Sequence, residues 1–202
     1  MILTKLYKRD IIWSMSRLTV YAVNQAGECV PHTEFRNSWG GAILIWDYLI
    51  QKYFPLKPGQ QSWEGEASLM IKMQPVWDLF KRSDVDLIDR IALGSTFDMV
   101  MVKRENIKAL AIAFTALHQR MTEMGLLTNP DRVNHILLQA DLFREMAGDS
   151  DIQAICWQQT SCARDMWRVK NDKEDEESHP YNINTDTGHW FLFDEIMGKG
   201  VK

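Results

Sequence analysis

The chain has 202 residues, 46% of them hydrophobic and 25% charged, with a formal net charge of -4. That is the make-up of one soluble, slightly acidic globular domain, long enough to form a core without disulfide staples. An acidic balance with no basic stripe argues against direct nucleic-acid binding, and no apolar run approaches the roughly 18 residues of a membrane span. Three cysteines, Cys29, Cys156 and Cys162, cannot all pair with one another and suit a reducing compartment, so a cytoplasmic protein is expected.

Met15-Ser16-Arg17 stands immediately before a strand-like run and reads as an alternative start. On that reading residues 1–14 are an appended segment and 15–202 a single domain. Leu18 to Val23 is rich in β-branched and aromatic residues and reads as a strand; Asn24-Gln25-Ala26-Gly27-Glu28 supplies a turn. Cys29 to Phe35 returns as an edge strand, where Pro31 is tolerated. Asn37 or Ser38 caps a helix over about 41–53, and its apolar circumference makes it central. Residues 54–62 are a loop by composition. A short helix is expected around 75–81, a helical turn near 84–91, and a strand over Phe97–Val102 introduced by the turn Gly94-Ser95-Thr96.

Two helices follow with the clearest periodicity. Ile107, Leu110, Ala111, Phe114, Leu117 and Met121 share one face, and Gly125 ends the helix. Asn129-Pro130-Asp131 opens the next, with Val133, Ile136, Leu137, Ala140, Phe143 and Ala147 on its stripe and Gly148 at its end. Asp151 to Trp157 reads as a buried strand, 172–177 as an acidic mobile loop near 170–180, and His189 to Phe193 as a last strand or docked segment. The order implies an α+β domain, a small mixed sheet packed against several helices. In its general make-up the chain resembles small accessory proteins of phages and mobile elements. No motif carries that resemblance, and no function is taken from it.

The candidate site joins two segments. One is the turn Arg36-Asn37-Ser38-Trp39-Gly40-Gly41, where Gly40 and Gly41 let backbone approach a ligand, a helix start faces an anion, and Arg36 offers a bidentate contact. The other is the loop after the buried strand: Trp157, Gln158, Gln159, Thr160, Ser161, Arg164 and Trp167, whose indoles and amides suit an interface or flank a pocket. Neither segment matches a P-loop or dinucleotide pattern. Scattered histidines lack metal-binding spacing, and a zinc site drawn from Cys156, Cys162, His179 and His189 fits no common pattern, so no metal or cofactor is called for. Asp47 interrupts an apolar helix face and needs a partner, with Arg36 or Arg164 the natural choices. Trp46 and Trp77 suit core helices.

These features favour a non-enzymatic protein that binds a protein partner or small anionic ligand through its Trp/Arg-rich loops. On that reading Arg36→Ala or Trp167→Ala weakens binding with little change in stability. The alternative is a small hydrolase or transferase with Ser161 or Cys162 as nucleophile and His189 or His32 as base. A third reading places the acidic run in a partner's nucleic-acid groove.

Overall fold

The computed structural model describes residues 17–36, 42–54, 73–127, 130–158, 165–169 and 178–198, the side chains of Arg17, Arg36 and 130–134 excepted. Five strands form one mixed sheet in the order β2-β1-β4-β3-β7. They are β1 (Arg17–Val23), β2 (Cys29–Arg36), β3 (Val100–Lys103), β4 (Ala154–Gln158) and β7 (Trp190–Phe191). The first four pair antiparallel along the sheet, and β7 joins β3 in parallel. A two-stranded ladder, β5 (Arg168–Val169) with β6 (His179–Pro180), lies beside it. Six helices complete the described chain: α1 (Ala42–Tyr53), α2 (Gln74–Asp78), α3 (Leu87–Gly94), α4 (Arg104–Glu123), α5 (Pro130–Gly148) and α6 (Leu192–Ile196). This is the α+β arrangement expected from the order of elements.

Period-two alternation builds two cores from one sheet. Leu18, Val20, Val100, Val102, Ile155 and Trp157 face the helices and join their apolar stripes. Tyr21, Val23, Met101, Ala154 and Cys156 face the other way, together with Cys29, and are covered by Trp167 and Tyr181. With both faces covered, every residue of β4 is buried, which is why its sequence runs apolar without alternation. All six stripe residues expected on α4 are buried. On α5, Ile136, Ala140 and Phe143 are buried, and the Phe143 ring meets Phe114 edge-on at 5.2 Å.

Four features differ from expectation. Gly94 belongs to α3 and not to a turn: a Cβ there would meet Leu192 Cδ1 at 2.2 Å and Phe80 at 2.7 Å. Glycine therefore serves close approach between α3, α6 and the turn after α2. The strand expected from Phe97 begins only at Val100, because Met99 adopts φ 55 and breaks the extended run. The last strand shortens to two residues, and the chain continues as α6. Trp77, expected in the core, is 40% exposed; α2 is five residues long and turns only Val76 inward. Gly27 has φ 86 in the β1–β2 turn, and its carbonyl accepts from Ile183 N at 2.8 Å, tying that turn to the C-terminal cover. No helix among the described residues is long and apolar enough to cross a membrane.

Candidate functional site

Strand register decides whether the two expected site segments meet. Arg17 pairs with Arg36 at the end of the β1–β2 ladder, and Thr19 pairs with Gln158 at the end of the β1–β4 ladder. The end of β2, the start of β1 and the end of β4 therefore share one edge of the sheet. The chain after Arg36 and the chain after Gln158 both continue from that edge, and α1 begins at Ala42. Trp39, Gly40, Gly41, Gln159, Thr160, Ser161, Cys162 and Arg164 lie outside the described residues, as do Asn37 and Ser38, either of which was expected to cap α1, and the acidic run 172–177.

Where the loop returns, it is pinned to the sheet. Met166 N donates to Gln158 Oε1 at 3.1 Å, and Asp165 Oδ1 accepts from Trp167 N at 2.9 Å. The Tyr21 hydroxyl donates to Asp165 Oδ2 at 2.8 Å. Burial first, and this carboxylate second, push the Tyr21 phenol above its ordinary value.

Trp157 and Trp167 were expected as contact residues; both indoles are inside. Trp157 points to the helical face, 6.0 Å from the Phe143 ring centroid, and its Nε1 donates to the Ser95 carbonyl. Trp167 is 0% exposed on the opposite face, edge-on to Tyr181 at 5.4 Å and 6.5 Å from Tyr21. The reason is alternation combined with coverage: β4 sends Trp157 to one core, and the chain after the loop folds back so that Trp167 closes the other. Gln158 is buried as well.

The described histidines have these neighbours. His189 Nδ1 lies 2.9 Å from the Tyr181 hydroxyl, with desolvation holding its ring below the usual histidine value. His32 is exposed on β2, with Nδ1 2.9 Å from Thr33 Oγ1. His179 faces the Pro180 carbonyl oxygen at 2.9 Å. No group of three histidine, cysteine or carboxylate side chains able to hold a metal occurs among the described residues.

A second polar cluster escaped the sequence reading. Asp89 on α3 is 0% exposed. Its Oδ1 accepts from the Tyr48 hydroxyl at 2.8 Å and Arg120 Nη1 at 3.0 Å; its Oδ2 accepts from Lys52 Nζ and the Tyr53 hydroxyl, both at 2.6 Å. Arg120 also bridges to Asp86, which caps α3 by accepting from Ile88 N at 2.9 Å. Those bonds from Arg120 hold the Asp86 carboxyl below the usual range. Each oxygen of Asp89 accepts two hydrogen bonds, and the cluster joins α1, α3 and α4 as a clamp. Asp47, the acid singled out from sequence, is also buried on α1.

Burial raises the phenols of Tyr21, Tyr48, Tyr53 and Tyr181, with desolvation the largest cause in each. A raised folded-state pKa contributes stability that is complete below the ordinary phenol value of about 10 and lost as pH climbs above it. Ionisation of these four, followed by absorbance near 295 nm, should lag behind free tyrosine and coincide with loss of circular dichroism. Titration near 10 with the fold intact would contradict their burial. No family model, curated protein or solved structure matches the chain.

Proposed function

We propose that the chain is a non-enzymatic binding protein that captures an anionic group, carboxylate or phosphate, on a protein partner or small ligand. The surface is the sheet edge where β1 begins and β2 and β4 end. One observation carries this reading: the register that sets Arg17 opposite Arg36 and Thr19 opposite Gln158. It gathers segments far apart in sequence, with Arg164 following on the loop from β4. Two cationic residues opposed at one ladder position are unfavourable without a counter-charge, and arginine is suited to planar oxyanions. The indoles of Trp157 and Trp167, buried in the two cores, drop out of the recognition set. A cytoplasmic setting belongs to the same proposal, supported by the free thiols of Cys29 and Cys156.

The test compares wild type with an Arg36→Ala/Arg164→Ala variant after matching their melting temperatures. Charge-assisted hydrogen bonds contribute about 1.5–3 kcal/mol each, so the double variant should lose roughly a hundredfold or more in affinity. Pull-down from the source cell's lysate reads the protein arm. Thermal-shift titration with inorganic phosphate and with citrate reads the small-ligand arm. Equal capture and equal shifts for both proteins would refute the reading.

A further inference from the structure

The second core gathers oxidisable side chains on one face of the sheet. Tyr21, Cys29, Met101, Cys156, Trp167 and Tyr181 are buried there, and Met99 packs against them. Four rings stand in file over that face. The centroids of Tyr21 and Trp167 are 6.5 Å apart, those of Trp167 and Tyr181 5.4 Å, and those of Tyr181 and His189 5.8 Å. Each step is a direct ring contact, so the file runs unbroken from the buried indole to the half-buried imidazole.

Two members of the file treat a proton differently. Trp167 is 0% exposed, and its Nε1 finds no hydrogen-bond partner among the described residues. An indole that loses an electron there has no acceptor for its N–H proton, so the positive charge stays free to move on. Tyr181 does have an acceptor: its hydroxyl lies 2.9 Å from His189 Nδ1, within reach for proton transfer. It is the one described phenol that meets an imidazole, since Tyr21 donates to Asp165 and both Tyr48 and Tyr53 donate to Asp89. Imidazole is the stronger base. Desolvation favours the neutral, proton-accepting form of His189, and Asp186 favours the charge it would gain.

We propose that Trp167, Tyr181 and His189 form a relay that carries an oxidising equivalent out of the second core and holds it as a tyrosyl radical at Tyr181. The oxidant is an outer-sphere one-electron acceptor, which takes one electron from Trp167 and leaves an indole radical cation. Tyr181 then gives one electron to Trp167 and its phenolic proton to His189 Nδ1. The O–H bond breaks, an N–H bond forms, and the indole is restored. A solution reductant of the ascorbate class returns one electron to Tyr181, and the imidazolium returns the proton. The thiols and thioethers packed around the rings are thereby spared oxidation. The relay uses none of the sheet-edge residues, so the two proposals stand or fall separately.

The test uses a Tyr7→Phe background, which removes the one tyrosine outside the described residues. Flash excitation of tris(bipyridine)ruthenium(II), quenched by hexaammineruthenium(III), supplies the oxidant. Transient absorption should show an indole radical decaying as a neutral tyrosyl radical grows in. Tyr181→Phe, which keeps the ring, should abolish that growth and leave the indole radical long-lived, and Trp167→Phe should lower the tyrosyl yield. His189→Gln should slow the growth by roughly a hundredfold, the lower end for a positioned base. Added imidazole should restore the rate, which it would not do for a side chain that only packs. Tyr181→Phe decides the matter should His189→Gln fail to fold. An unchanged tyrosyl signal in Tyr181→Phe, or growth in His189→Gln as fast as in the background protein, would each overturn the relay.

Discussion

Replacing Asp89 with alanine is expected to lower the unfolding free energy by roughly 3–4 kcal/mol, the largest effect of any single charge in the described structure. Removing one member of a buried ion cluster typically costs about 3–5 kcal/mol, because the partners keep their desolvation penalty without its compensation. Here the value falls in the lower half, since the side chains of Lys52 and Arg120 retain 32% and 28% of their exposure and can recover water. The Tyr48 hydroxyl is deeper and cannot. For a chain of this length the melting temperature should fall on the order of 10 °C. Asp86→Ala removes a partly exposed helix cap and should cost less, about 0.5–2 kcal/mol. Urea midpoints decide: equal losses for the two variants would mean that Asp89 acts as a local cap and not as a clamp between three helices.

Why Asp89 was illegible is instructive. Its neighbours in sequence, Leu87-Ile88-Asp89-Arg90-Ile91, suggest an amphipathic turn with an ordinary surface acid. Its partners come from α1 and α4, more than thirty residues away on either side. A faint signal did exist: Tyr48 and Lys52 are four apart on α1, so a phenol and an ammonium share one face of a largely apolar helix. Sequence reading chose Asp47 by its contrast with neighbours, but contrast identifies burial and not partners. The long helices were legible because one periodic stripe suffices to specify them, as with Ile107 to Met121. β1 and β2 were legible from β-branched content and the Asn24–Glu28 turn. The cover over the second face was not, because residues 165–169 and 178–198 reach the sheet through two-residue strands, turns and backbone bonds such as Cys29 N to the Tyr181 carbonyl at 2.8 Å. Such a segment has no period to read. For the candidate site, sequence picked out two segments, and only strand register could bring them to one edge.

Trp167 turns that distinction into an expected result. Read as a contact residue, its replacement by alanine would weaken binding and spare stability. Read from its position, with 0% exposure between Tyr21 and Tyr181, the same change should cost about 3–5 kcal/mol by leaving a cavity in the smaller core. An indole buries about 150–250 Å², worth about 4–6 kcal/mol at 25 cal/mol per Å² as an upper bound, so transfer alone accounts for the loss. Trp167→Phe separates packing from polarity. The indole Nε1 finds no hydrogen-bond partner among the described residues, and burying such a donor costs about 1–3 kcal/mol. Phenylalanine removes that donor while keeping most of the ring, so the two changes oppose each other and the net loss should stay under about 2 kcal/mol. Denaturant unfolding of the pair gives the answer: a small loss for alanine would return Trp167 to the surface and to the binding site. A large loss for alanine with a small one for phenylalanine makes Trp167→Phe the variant for binding assays. Any weakened capture by Trp167→Ala then measures its unfolded fraction and says nothing about contact.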